Sequence, residues 1–111
     1  MAQKLELVKN NTESLLLFLI GQQPMYGYQI IKELERQSQG YFQFKEGTLY
    51  PALHRLEKMG LIQGHWQELA SGRRRRYYYI TDKGYQLLLV RKNEWQDFLK
   101  AMNLIIQPMS P

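Results

Sequence analysis

Arg73, Arg74, Arg75 and Arg76 stand in one unbroken run, directly behind Ser71-Gly72 and directly ahead of Tyr77, Tyr78, Tyr79 and Ile80. A guanidinium group is permanently charged and presents a planar fork of donors that matches phosphate, so the chemistry on offer is anion recognition. The net charge is +5, and residues 45–83 hold eight basic groups against four acidic ones, so most of the surplus lies in that stretch. Nucleic acid is the polyanion most often met by such a patch, with acidic lipid and acidic proteins as rivals. Bond-making chemistry has no comparable signal. His, Asp, Ser and Lys show no triad spacing or carboxylate pair, and no Gly-rich phosphate loop is present. His54 and His65 lack partners at metal-ligand spacing, and without cysteine there are no disulfides or thiolate sites. The expectation is a protein with no catalytic residues, no metal and no cofactor.

The elements that must position the arginines can be read from apolar periodicity. With 111 residues the chain suffices for one domain, and at this size a fold buries roughly 60 to 65% of its unfolded surface. The longest apolar run, Leu15 to Ile20, is halted by Gly21-Gln22-Gln23-Pro24, far short of the roughly twenty residues that span a bilayer. The start also lacks the pattern of a signal peptide, so a cytoplasmic protein without membrane association is expected. Asn11-Thr12 followed by Glu13 reads as the cap of a first helix over about 12–21, apolar on nearly every side. Residues 22–26 read as a turn around Pro24. A second helix over about 27–39 places Ile30, Ile31 and Leu34 on one face and stops at Gly40.

The third helix, about 46–59, carries an apolar stripe of Leu49, Ala52, Leu53, Leu56 and Met59. Its opposite side presents Pro51, His54 and Lys58, with Tyr50 on one flank and Thr48 and Arg55 on the other. Pro51 falls early in this helix, where a missing N–H is best tolerated. After Gly60, a strand from Leu61-Ile62 to about Leu69 turns back at Ala70-Ser71-Gly72 into a second strand, Arg74 to Ile80. With a period of two, Arg74, Arg76, Tyr78 and Ile80 share one face and Arg73, Arg75, Tyr77 and Tyr79 the other, with Tyr78 and Ile80 expected inward.

Thr81 is placed to cap a fourth helix over about 82–106, with Asp82 near its positive end. Leu88, Trp95, Phe98, Met102 and Ile105 follow a heptad pattern interrupted by Arg91, widened by Leu99 and Ile106. A helix of this length ending so small a domain cannot cover that stripe with its own chain, which makes it a dimerisation helix. The fold expected is mainly α with a β-hairpin (α+β): a winged helix-turn-helix over 1–81, with its wing at about 61–80, then the dimerisation helix and a short tail over 82–111.

The blocks Tyr26-Gly27-Tyr28-Gln29-Ile30, Glu46 to Leu53 with Arg55-Leu56-Glu57, Gly60-Leu61-Ile62, Gly72 to Tyr78, Ile80-Thr81 and Lys83-Gly84 keep the order and spacing of the PadR family of bacterial transcriptional regulators, which the chain resembles across about residues 12–85. The last 25 residues match only as a helix of suitable length, as in members with a single C-terminal helix. The resemblance implies a homodimeric repressor on a palindromic double-stranded DNA operator, relieved by a hydrophobic or aromatic small-molecule effector. Thr48 and Tyr50 match family positions that touch DNA; the helical wheel adds His54, Arg55 and Lys58. Tyr26 and Tyr28 offer hydroxyls to phosphate, and Arg73 to Arg76 position the protein on the backbone. On the last helix, Leu88, Trp95, Phe98, Leu99, Met102 and Ile105 form the expected dimer interface. Trp95 also matches the helix on which multidrug-sensing relatives carry an effector-stacking tryptophan.

Each assignment has a plainer counterpart. Tyr28 and Tyr50 can cap the core, Arg74 or Arg76 can pair with Glu68 across the hairpin, and Trp95 can merely pack a dimer contact. At the level of function the alternative is a winged-helix protein-interaction module binding an acidic partner.

Overall fold

The computed structural model describes residues 2–107, with side chains from Asn11 onward. The first helix, α1 (Ala2–Ile20), does not begin near residue 12 but runs through it. Thr12 and Ser14 are 4% and 3% exposed. The Asn-Thr pair therefore lies within a packed helix instead of capping one: local capping preference gives way to burial. Arg91 of the last helix makes that burial possible for Ser14, donating from Nη1 to its hydroxyl at 2.5 Å. On the other sides of α1, Leu16, Leu17, Leu19 and Ile20 enter the core with Ile30, Leu49, Leu53 and Leu56.

A two-residue strand, β1 (Met25–Tyr26), stands where the sequence suggested only a turn. Helix α2 (Gly27–Gln37) buries Ile30 and Leu34. It ends two residues earlier than expected, with the Gly40 N–H returning to the Glu35 carbonyl at 2.7 Å. Reciprocal amide bonds between Gln22 and Gln37, at 3.1 and 2.9 Å, tie the turn after α1 to the end of α2.

Helix α3 (Glu46–Lys58) keeps Pro51 in its interior and buries Leu49, Ala52, Leu53 and Leu56. Met59, expected on the same stripe, is the C-terminal cap and is 47% exposed. Two antiparallel strands follow, β2 (Ile62–Glu68) and β3 (Arg74–Ile80), and the sheet order is β1-β3-β2. Opposite one another stand Ile62 and Ile80, Gly64 and Tyr78, Trp66 and Arg76, Glu68 and Arg74. On the other edge of β3, Met25 faces Tyr78 and Tyr26 faces Tyr77. Tyr78 is buried and Ile80 packs against the core, so these two are the inward pair.

Helix α4 (Asp82–Ile106) starts where the sequence placed it, because the Thr81 hydroxyl accepts from the Gly84 N–H at 3.0 Å. The same hydroxyl donates to the Gly60 carbonyl at 2.7 Å and Lys83 Nζ to the Met59 carbonyl at 2.9 Å, fastening α4 to the end of α3. Leu88 corrects the expected interface: it is buried within its own chain, and a Cβ added at Gly21 of the α1 turn would lie 2.3 Å from its Cδ1. The expected tail at 108–111 lies outside the described residues. No helix among the described residues is long and apolar enough to cross a membrane.

Candidate nucleic-acid interface

The outward face of α3 and the inner face of the hairpin meet in a concave cleft of about 990 Å³, lined by Tyr50, Pro51, His54, Glu57, Lys58, Arg76 and Tyr78. Amphipathicity builds its helical wall. Burying Leu49, Leu53 and Leu56 turns His54 and Lys58 to solvent, and Thr48 is exposed on the first turn. Tyr50, 43% exposed, lies against the start of α2, where a Cβ at position 27 would come within 2.3 Å of its hydroxyl; Gly27 makes that approach possible. The phenol is held above its ordinary pKa, first by burial and then by the charge of Glu46.

The four arginines fall into distinct environments. Arg73 is exposed at the hairpin turn, its N–H donating to the Ser71 hydroxyl at 3.4 Å. The Arg74 guanidinium lies 5.0 Å from the Trp66 ring centre and that of Arg75 4.1 Å from the Tyr26 ring centre, both side chains belonging to exposed residues. Tyr26 in turn meets Tyr77 edge-on at 5.4 Å. Stacking of this kind orients a guanidinium while leaving its N–H fork available. Arg76 differs, pairing with Glu57 of α3 at 2.5 Å; the partner is not Glu68, the cross-strand candidate. A second cleft, about 530 Å³, collects Tyr26, Gly27, Tyr28 and Tyr50 with Trp66 and Arg74 to Arg76, so the α2 start, α3 and hairpin form one continuous surface.

Arg55 is placed apart from both clefts: its Nε donates to the Glu13 carboxylate of α1 at 3.0 Å. Tyr28 is 54% exposed and carries Lys32 Nζ 5.4 Å from its ring centre, which sets it on the surface and not over the core. Two residues at the clefts escaped sequence reasoning. Trp66 was assigned only to a strand, although its register opposite Arg76 puts a large exposed ring between two arginines. Glu57 sits about 20° from Tyr50 on a 100° wheel, which places it on the same side of α3 as that cleft-lining tyrosine.

On α4, Phe98, Leu99, Met102 and Ile105 are exposed and Trp95 is half-buried, stacked edge-on with Phe98 at 5.6 Å. Trp95 and Leu99 also close an apolar cavity of about 460 Å³ whose other walls are Asn11, Ser14, Leu15 and Phe18 of α1 with Tyr41 and Phe42 of the α2–α3 loop. Among the described residues no group of His, Asp and Glu could hold a metal ion.

Three helices closed by a β-hairpin, with a short third strand between the first and second helices, define a winged helix. The chain belongs to the transcriptional regulator PadR-like family, which it matches over residues 16–89. It is similar to the crystal structure of a PadR-like transcriptional regulator from Bacillus cereus, at 33% identity and TM-score 0.81, covering 92% of this chain and 97% of that one. A transcriptional regulator from Clostridium thermocellum matches at 31% identity and TM-score 0.78, over 91% of this chain and 98% of its own. A transcriptional regulator of Mycobacterium tuberculosis is 40% identical over 60 residues, which is 54% of this chain and 52% of the relative. The protein is thus a transcriptional regulator by family.

Proposed function

We propose that the protein is a homodimeric, sequence-specific DNA-binding repressor, with α3 in the major groove and the hairpin on the adjacent backbone. The observation that carries this reading is the continuous cleft surface on which His54, Lys58 and Tyr50 of α3 share a concavity with the arginine-bearing strand. Thr48, Tyr50, His54 and Lys58 face base edges in this arrangement, while Arg73, Arg74 and Arg75, with the Tyr26 and Tyr28 hydroxyls, meet phosphates. Arg55, engaged by Glu13, is at most a peripheral contact. The winged helix of residues 1–81 does the binding and α4 pairs two copies through Trp95, Phe98, Leu99, Met102 and Ile105, a stripe its own chain leaves largely uncovered. Symmetric pairing suits a palindromic operator.

A flat hydrophobic effector suits the Trp95 cavity, which is apolar on nearly all its walls and adjoins the dimer stripe. Its binding there would change α4 against α1 and so relieve repression.

The test is duplex binding by the full chain as a function of salt, using a sequence selected from a random pool. If each subunit neutralises about three phosphates, log affinity should fall against log salt with a slope of roughly −5, and replacing Arg73 and Arg74 by alanine should flatten it by roughly 2 per subunit. A wild-type protein that selects no duplex sequence would instead favour the module that binds an acidic protein.

A further inference from the structure

Glu57 is an anion in the wall of a cleft whose other charged groups are Lys58 and Arg76. On a surface that meets phosphate, an unpaired carboxylate weakens binding, so its presence asks for a role. One of its oxygens, Oε2, accepts from Arg76 Nη2 at 2.5 Å and from the Gly64 backbone N–H at 3.2 Å. A single carboxylate oxygen of α3 therefore holds both strands of the hairpin, β2 through its backbone and β3 through a side chain.

The surroundings keep that junction in one geometry. Gly64 lets the guanidinium lie across β2, since a Cβ there would stand 2.4 Å from Arg76 Nε. The guanidinium is further bounded by Trp66, 5.5 Å to its ring centre, and Tyr78, at 5.9 Å. The two charged side chains are only 30% and 26% exposed, so water screens them incompletely and charge-assisted bonds between them are strengthened. Among the described residues, Arg76 is the one member of the arginine run paired with a carboxylate.

We propose that the Glu57–Arg76–Gly64 junction is a clamp that fixes the wing relative to the recognition helix, and that Glu57 and Arg76 are positioning residues for sequence selectivity instead of DNA contacts. The span between base contacts on α3 and phosphate contacts on the wing is then set by this one carboxylate. The inference rests on the DNA-binding reading above, but the clamp itself can be probed without DNA.

The two views of Glu57 predict opposite signs. If Glu57 is merely a stray anion, Glu57→Gln tightens binding to every duplex. If it is a clamp, Glu57→Gln lowers the preference for the selected duplex over a random one on the order of tenfold, as expected for coupled contacts. Arg76→Gln should lose a similar preference, and the double variant no more than either single one. In parallel, with Trp95→Phe leaving Trp66 as the sole tryptophan, acrylamide quenching of Trp66 in free protein should rise in Glu57→Gln and in Arg76→Gln, without further increase in the double variant. Tighter binding to both duplexes with unchanged quenching overturns the proposal, as does increased quenching with unchanged selectivity. If wild type binds no duplex, the regulatory reading fails and the selectivity role with it; quenching would then decide only whether the clamp exists.

Discussion

The winged-helix body and the distal half of α4 use the same kinds of side chain to opposite ends. Leu53 and Leu56 of α3 are 1% and 0% exposed, whereas Leu104, Ile105 and Ile106 of α4 are 65%, 79% and 53% exposed. Apolar side chains gain free energy from leaving water wherever they do so, so apolar surface left this open on the distal half of α4 suits the pairing of two copies proposed above. The contrast separates two quantities that a single melting curve would merge, the stability of the fold and the strength of the proposed pairing.

The sharpest way to break that contrast is to cut into each region. Leu53→Ala should cost about 2–5 kcal/mol in urea denaturation, the usual range for a leucine truncated in a closed core. Ile105→Glu should leave the circular dichroism spectrum intact while reducing the particle mass by half, to the 13.3 kDa of one chain, in light scattering. A folded dimer in the second variant, or an unfolded chain, would erase the distinction between the regions.

A smaller effect sits at the joint between them. Thr81 caps α4 and binds the Gly60 carbonyl, so Thr81→Ala should lower stability by about 1 kcal/mol, and Thr81→Ser should restore most of it, by thermal denaturation. The smallest is confined to the body. Burial, ahead of the opposing influence of Arg76, raises the Tyr78 phenol above its ordinary value of 10.0. The neutral phenol is favoured in the folded state, so its contribution is complete below pH 10.0 and fades as pH rises through the folded value. Stability measured across that alkaline window should therefore decline less steeply in Tyr78→Phe.

The two regions also differ in how readily sequence betrays them. The α4 start follows from chemistry confined to a few neighbouring residues, the Thr81 cap with Asp82 behind it, and the hairpin from Gly72 between strands of period two. The start of α1 was misplaced because Asn11-Thr12 is a good cap in isolation; Arg91, 77 residues away from Ser14, shows that this face is covered by another helix. Strand β1 was invisible because two residues carry no periodicity, and it exists only because β3 offers Tyr77 and Tyr78 as partners. At the cleft, residue types pointed correctly to an outward His54 and Lys58. The fates of Arg55 and Arg76 depended on Glu13 and Glu57, carboxylates 42 and 19 residues away, and no local pattern could rank those partners.

Strand β1 has a further consequence. It covers the far edge of β3 at Tyr77 and Tyr78 only, so from Arg74 to Arg76 the central strand keeps an open margin. Open margins recruit strands from other molecules, and clustered like charges are a recognised guard against that. Along this margin the like charges of the arginines disfavour the approach of a second wing. A variant stripped of them to weaken nucleic-acid contacts would also lose this guard on the β3 margin, and should be less soluble at high concentration.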